Sequence, residues 1–199
     1  MNGSLPFSSL IFILTSGISF YALYVNPNLI DKFALNPYAI VYRKKYVSIF
    51  TSAFLHANLP HLVFNMITLY FFGPTLESLV GGLRFVLIYL ISLIVANLAT
   101  VIKYRNFFEY RSIGASGAIS GVLFSYIMLN PFSGIMIFPV PFPLPAYIFA
   151  ILYILWSYFA AKRGMDLINH DAHIWGAVAG IISTILIVPN AIDYFLSNF

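Results

Sequence analysis

Six apolar stretches, spanning about 6–25, 60–79, 83–102, 115–129, 146–161 and 172–189, take up most of the chain. Each is close to the length a helix needs to cross a bilayer, about 20 residues for a hydrocarbon core about 30 Å thick. In lipid every backbone N–H and C=O must be paired within the protein, so such stretches fold as helices. The chain is 61% hydrophobic and 8% charged, against about 25% charged in a soluble domain. The sequence therefore predicts an all-α polytopic membrane protein: one domain over residues 1–199, with six transmembrane helices and no room for a second, soluble domain.

The same composition excludes several function classes. The net charge of +4 comes from a few loop residues and is not a nucleic-acid signature. There is no cysteine, hence no disulfide framework and no thiol nucleophile. Four histidines without a cysteine argue against structural zinc, and nothing implies a cofactor. No basic residue precedes Lys32 and no small-residue cleavage pattern follows the first stretch, which is expected to be a retained helix. No internal repeat marks a transporter built from inverted halves.

Between the first two helices runs a segment too long for a simple connector, basic at Arg43-Lys44-Lys45 and then apolar, expected to embed partly in the interface. Pro60 suits the first turn of the second helix, where its missing N–H costs nothing. The stretch Pro139-Val140-Pro141-Phe142-Pro143-Leu144-Pro145 reads as an apolar, non-helical linker. Lys162, Arg163, Asp166 and His170 are assigned to the following loop. Glu77 is expected to cap or bridge helices at the membrane edge, and Asn97 to bond a neighbour.

Polar groups inside these helices carry the functional signal, because an ionisable residue at membrane depth is expensive. Gly114-Ala115-Ser116-Gly117 presents a serine hydroxyl at the first turn of the short fourth helix. A hydroxyl there is useful only if a wet cavity reaches it. In the last helix His173, Gly176, Ala177 and Gly180 fall on one face, and Gly117 and Gly121 make a similar small-residue pair on the fourth. Such seams let membrane helices approach closely, as a histidine must to reach a serine hydroxyl on a neighbouring helix. His61 and Asn65, one turn apart, offer two donors on one face that could stabilise an oxyanion together with the Ser116 N–H. Each seam alone reads first as ordinary packing, and His61 and Asn65 alone as interhelical hydrogen bonds; the polar residue on each seam shifts the balance. His56 is a candidate for lining the same cavity or an interfacial histidine. Asp171, two residues from His173, points elsewhere on a helix, so a Ser-His dyad is the economical reading.

The ordered set resembles the rhomboid intramembrane serine proteases: His56…His61-x-x-x-Asn65, Phe72-Gly73…Glu77, Gly114-Ala115-Ser116-Gly117, and Ala172-His173 with Gly176 and Gly180. The resemblance covers nearly the whole chain. It implies a compact six-helix bundle around a water-filled cavity, with Ser116 as nucleophile, His173 as base, and His61, Asn65 and the Ser116 N–H as oxyanion hole. Substrates would be transmembrane segments of membrane proteins, cut in or near the bilayer without metal or cofactor. The chain departs from the family twice. Val47-Ser48 stands where a Trp-Arg pair is common in the first loop. Ser120 stands four residues after the serine, where many members carry an aromatic residue that packs on the histidine; Trp175 or Phe124 is expected to orient the ring instead.

Two other readings are a non-catalytic rhomboid-like protein that binds transmembrane segments, which would be expected to lack the serine or the histidine, and a channel or transporter lined by His61, Asn65 and His173. The resemblance further implies a bacterial inner membrane with the active site facing outside. Lys32, Arg43, Lys44, Lys45, Lys103, Arg105, Arg111, Lys162 and Arg163 would then lie outside and only Arg84 inside, against the positive-inside bias.

Overall fold

A computed structural model describes residues 5–137, 140–163 and 168–199. Helix α1 (Phe7–Tyr24) is followed by three short helices, α2 (Asn28–Phe33), α3 (Pro37–Arg43) and α4 (Ser48–Thr51), and a 3-10 turn at Ser52–Phe54. Then come α5 (Leu59–Val80), α6 (Gly82–Tyr104), α7 (Ser116–Leu129), α8 (Ala146–Arg163), α9 (His170–Ile187) and a short α10 (Ala191–Leu196). A two-stranded antiparallel ribbon, β1 (Gly134–Ile135) with β2 (Leu144–Pro145), precedes α8.

All six expected helices form, but they differ as membrane spans. By length and composition α1, α5, α6 and α9 can cross a bilayer, four among the described residues. Helix α7 has 14 residues, about 21 Å of rise at 1.5 Å per residue, well short of the hydrocarbon thickness. It is also buried all round: twelve of its residues, all but Ser116 and Tyr126, are buried. A helix apolar on every side belongs at the centre of a bundle, and α7 sits there, packed against α5, α6 and α9. Helix α8 runs through Lys162 and Arg163, which end the helix and do not lie in a loop. Asp166 and Pro139 fall outside the described residues.

Local chemistry sets the helix starts. Asn58 caps α5 by accepting from the His61 N–H at 2.9 Å, with Pro60 in the first turn. The Glu77 carboxylate, near the end of α5, accepts from the N–H groups of Phe7 (2.9 Å) and Ser8 (2.8 Å). It thus caps α1, where the helix dipole favours negative charge.

The segment between α1 and α5 is structured and tied down by main-chain contacts. Leu35 and Ser112 exchange backbone hydrogen bonds at 2.9 and 3.0 Å. Thr51 Oγ1 donates to the Phe33 carbonyl (3.1 Å) and Asn97 Nδ2 to the Ile49 carbonyl (2.7 Å). These bonds hold the segment across α6 and the loop before α7.

Candidate active site

The chain enters α7 through Gly114, whose φ of +127° is a conformation L residues rarely adopt. Its N–H donates to the Ser52 carbonyl at 3.0 Å, pinning the turn to the first loop. A Cβ at Gly114 would stand 2.9 Å from His61 Cε1, 3.1 Å from His61 Nε2 and 3.7 Å from Ser116 Oγ. The missing side chain therefore leaves a corner bounded by the His61 imidazole and the Ser116 hydroxyl. Both line one cavity of about 490 Å³, with Ser112, His170 and Asp171 also in its wall. Ser116 is the first residue of α7, which has no side-chain cap, and the Ile119 N–H is the one that bonds back to Ala115 O, at 2.9 Å. The N–H groups before it have no partner within the helix and concentrate positive dipole there.

His173 approaches along the seam between α7 and α9. A Cβ on Gly176 would land on the carbonyl group of Gly117, and one on Gly180 on that of Gly121. The backbones are thus in direct contact at two successive turns. Ser125 Oγ spans the same seam, donating toward Gly121 O at 2.7 Å and Gly180 O at 3.0 Å. At its upper end a Cβ on Gly117 would lie 3.4 Å from the Ala172 carbonyl. The chain neighbours of Ser116 and His173 therefore face each other across the seam. Asn169 caps α9, accepting from the Ala172 N–H at 3.1 Å. Its Nδ2 donates to Thr100 Oγ1 (2.8 Å) and Ser112 Oγ (3.2 Å), joining the start of α9 to α6 and to the loop before α7.

The ring lying on His173 belongs to Tyr153 of α8, with centroids 6.2 Å apart and planes 22° from parallel. Neither residue expected in that role fills it: Phe124 packs on Tyr153 at 5.5 Å, and Trp175 is 50% exposed. His170 is also reassigned. It opens α9, is buried, and meets Trp156 edge-on at 4.7 Å and His173 at 5.8 Å. Asp171 pairs with Lys103 of α6.

Asn65 is buried, and its amide donates to the His61 carbonyl at 3.0 Å. His56 is wholly buried and meets His61 edge-on at 4.9 Å. Its Nδ1 lies 2.8 Å from Ser19 Oγ, which in turn lies 2.7 Å from the Phe54 carbonyl. A carbonyl can only accept, so the Ser19 proton goes to Phe54 and His56 Nδ1–H donates to Ser19. Burial first, and the neighbouring His61 second, hold the His56 pKa down to about 3. His56 is therefore a neutral ring behind His61, and the cavity wall described above does not include it.

Residues 43–190 match the family model for the Rhomboid domain. The mitochondrial rhomboid protein 1 of Saccharomyces cerevisiae is 30% identical over 140 residues, 68% of this chain and 40% of that protein. The rhomboid protease GluP of Bacillus subtilis is 32% identical over 127 residues, 61% of this chain and 24% of that protein. The mitochondrial RHOMBOID-like protein 12 of Arabidopsis thaliana is 26% identical over 151 residues, 68% of this chain and 45% of that protein. The chain thus spans less than half the length of each of these three relatives.

Proposed function

Because the chain belongs to the rhomboid family and is an integral membrane protein, we propose that it is an intramembrane serine endopeptidase working through a Ser116–His173 dyad. The observation that carries this reading is the Gly114 corner. It brings the Ser116 hydroxyl and the His61 imidazole to one small space at a helix N-terminus, inside a cavity. In this reading α1, α5, α6, α7, α8 and α9 make a single six-span bundle over residues 1–199. The short α7 stops below the membrane face, and the cavity above it admits water.

Ser116 Oγ attacks the scissile carbonyl carbon while its proton passes to His173. The oxyanion that forms is held by the Ser116 N–H at the dipole end of α7 and by His61. Asn65 joins them by turning its amide away from the His61 carbonyl. The protonated His173 hands its proton to the leaving nitrogen as the C–N bond breaks, leaving an ester on Ser116. Water then attacks this ester, with His173 again taking the proton, and Ser116 is freed. The substrate is a transmembrane segment that unwinds locally, because a helical amide is already hydrogen-bonded. The site opens to the outer face of a bacterial cell membrane. Both Ser116 and His173 are present, so the non-catalytic reading has no residue in its favour.

The test is labelling by a fluorophosphonate probe together with cleavage of a model transmembrane substrate. Wild type should label and cleave; Ser116→Ala and His173→Ala should each abolish both, and the double variant should be no worse than either, since a dyad acts as a unit. Activity of Ser116→Ala within tenfold of wild type would remove the nucleophile assignment.

A further inference from the structure

Tyr153 is fixed on several sides. Its hydroxyl shares a 2.8 Å hydrogen bond with Ser120 Oγ, and Phe124 and Phe149 pack on its ring at 5.5 and 5.8 Å. Among the described residues its other ring contact is with His173. Ser120 lies one helical turn after Ser116, so a single hydroxyl pair ties the nucleophile's helix to the ring that faces the base. Three residues on, Trp156 meets His170. Residues three apart share a helix face. One face of α8, at Tyr153 and Trp156, therefore meets one face of α9, at His173 and His170. The rest of α8 packs on the bundle along one side, through Phe149, Ala150 and Ile154, and faces outward along the other. Only Ala146 and Ser157 are buried in it, while Ile151, Leu152, Leu155 and Phe159 are exposed.

We propose that Tyr153 is the positioning residue for His173, so that seating of α8 against α7 and α9 aligns the base. The proposal rests on His173 being the base in the reading above. An imidazole can turn about its bond to Cβ, and an aromatic face in an offset stack removes part of that freedom. Ser120 makes this arrangement possible, because a small residue there leaves space for a ring from α8 and supplies its hydroxyl partner.

Separate measurement of kcat and KM on a model transmembrane substrate tests this, with wild type and Ser116→Ala alongside. Tyr153→Leu removes the ring and should lower kcat about tenfold or more, since small misplacement of a reacting group costs that much or more in rate, with KM within about twofold. Tyr153→Phe keeps the ring and should hold kcat within about threefold. Should Tyr153→Leu fail to give a monodisperse protein, Tyr153→Met serves as a second ring-free variant with an adaptable side chain. Three results overturn the proposal: a ring-free variant at wild-type kcat, a defect confined to KM, or Tyr153→Phe as impaired as the ring-free variant. An inactive wild type, or an active Ser116→Ala, overturns the catalytic reading and this inference with it. An active wild type, an inactive Ser116→Ala and an unaffected Tyr153→Leu overturn this inference alone.

Discussion

The Gly117 carbonyl stands where a Cβ of Gly176 would have to be. Because the obstructing atoms are backbone, no rotamer change makes room, and the two helices must separate if that position gains a side chain. Gly176→Ala should destabilise the fold by about 1–3 kcal/mol, the usual cost of overpacking, and lower activity, because the same seam positions His173. Thermal unfolding in detergent and substrate cleavage measure the two effects. Wild-type values for both would show that the seam yields freely.

Gly114→Ala meets two obstacles at once. Its φ of +127° is unfavourable for an L residue, and its methyl would stand 2.9 Å from His61 Cε1. Backbone strain of this kind costs about 1–3 kcal/mol, and the methyl would also fill the corner where the scissile carbonyl is expected to sit. Activity should fall further than stability does. A variant that loses stability but keeps kcat would place the reacting carbonyl elsewhere.

Asn65→Ala removes one donor from the proposed oxyanion hole and a 3.0 Å hydrogen bond to the His61 carbonyl. The loss of one such donor costs about 10²–10³ in rate, and the lower end is expected here because His61 and the Ser116 N–H remain. The defect should lie in kcat with KM little changed. A defect in KM alone would assign Asn65 to structure.

His56 makes stability depend on pH in a definite direction. Its pKa is held down to about 3 in the folded protein, against about 6.5 for a free imidazole. Between those values the unfolded chain binds a proton that the folded protein refuses. Its stabilising contribution is therefore complete above about pH 6.5 and is lost as the pH falls toward 3, at up to about 1.4 kcal/mol per pH unit. Unfolding in detergent across that window should show this slope, and His56→Gln should reduce it. An equal slope in the variant would place the titrating group elsewhere.

Sidedness is open to a direct assay because the chain has no cysteine. Asn106 lies in the exposed loop before α7, on the side of the proposed active site. A single cysteine there should react with an impermeant maleimide on intact cells. Reaction only after permeabilisation would turn the site toward the cytoplasm, as the distribution of Lys and Arg suggests.

The helices were legible because apolar length leaves the backbone few alternatives. The spans expected at 6–25, 60–79 and 83–102 form as Phe7–Tyr24, Leu59–Val80 and Gly82–Tyr104, since a segment in lipid must pair its own peptide groups. Glycine spacing likewise announced the seam, because His173, Gly176 and Gly180 share a face whatever they pack against. Local rules also gave the start of α5 near Pro60 and the bonding roles of Glu77 and Asn97.

Contacts between distant segments were not legible in this way. Tyr153 sits 33 residues from Ser120 in the chain, and no periodicity in either helix announces that their hydroxyls meet or that the ring then faces His173. His170 read as a loop residue because its polarity suits one, yet Asn169 starts α9 just before it and Trp156 covers it. The Leu35–Ser112 pairing and the short ribbon before α8 are main-chain bonds with no side-chain signature. By itself, then, the sequence determined that this chain is a helical membrane protein of the rhomboid type and which face of α9 carries His173, Gly176 and Gly180, because burial cost and helical period act on neighbouring residues. The tertiary structure alone decided which groups surround each of them, because that depends on how closely the helix backbones approach.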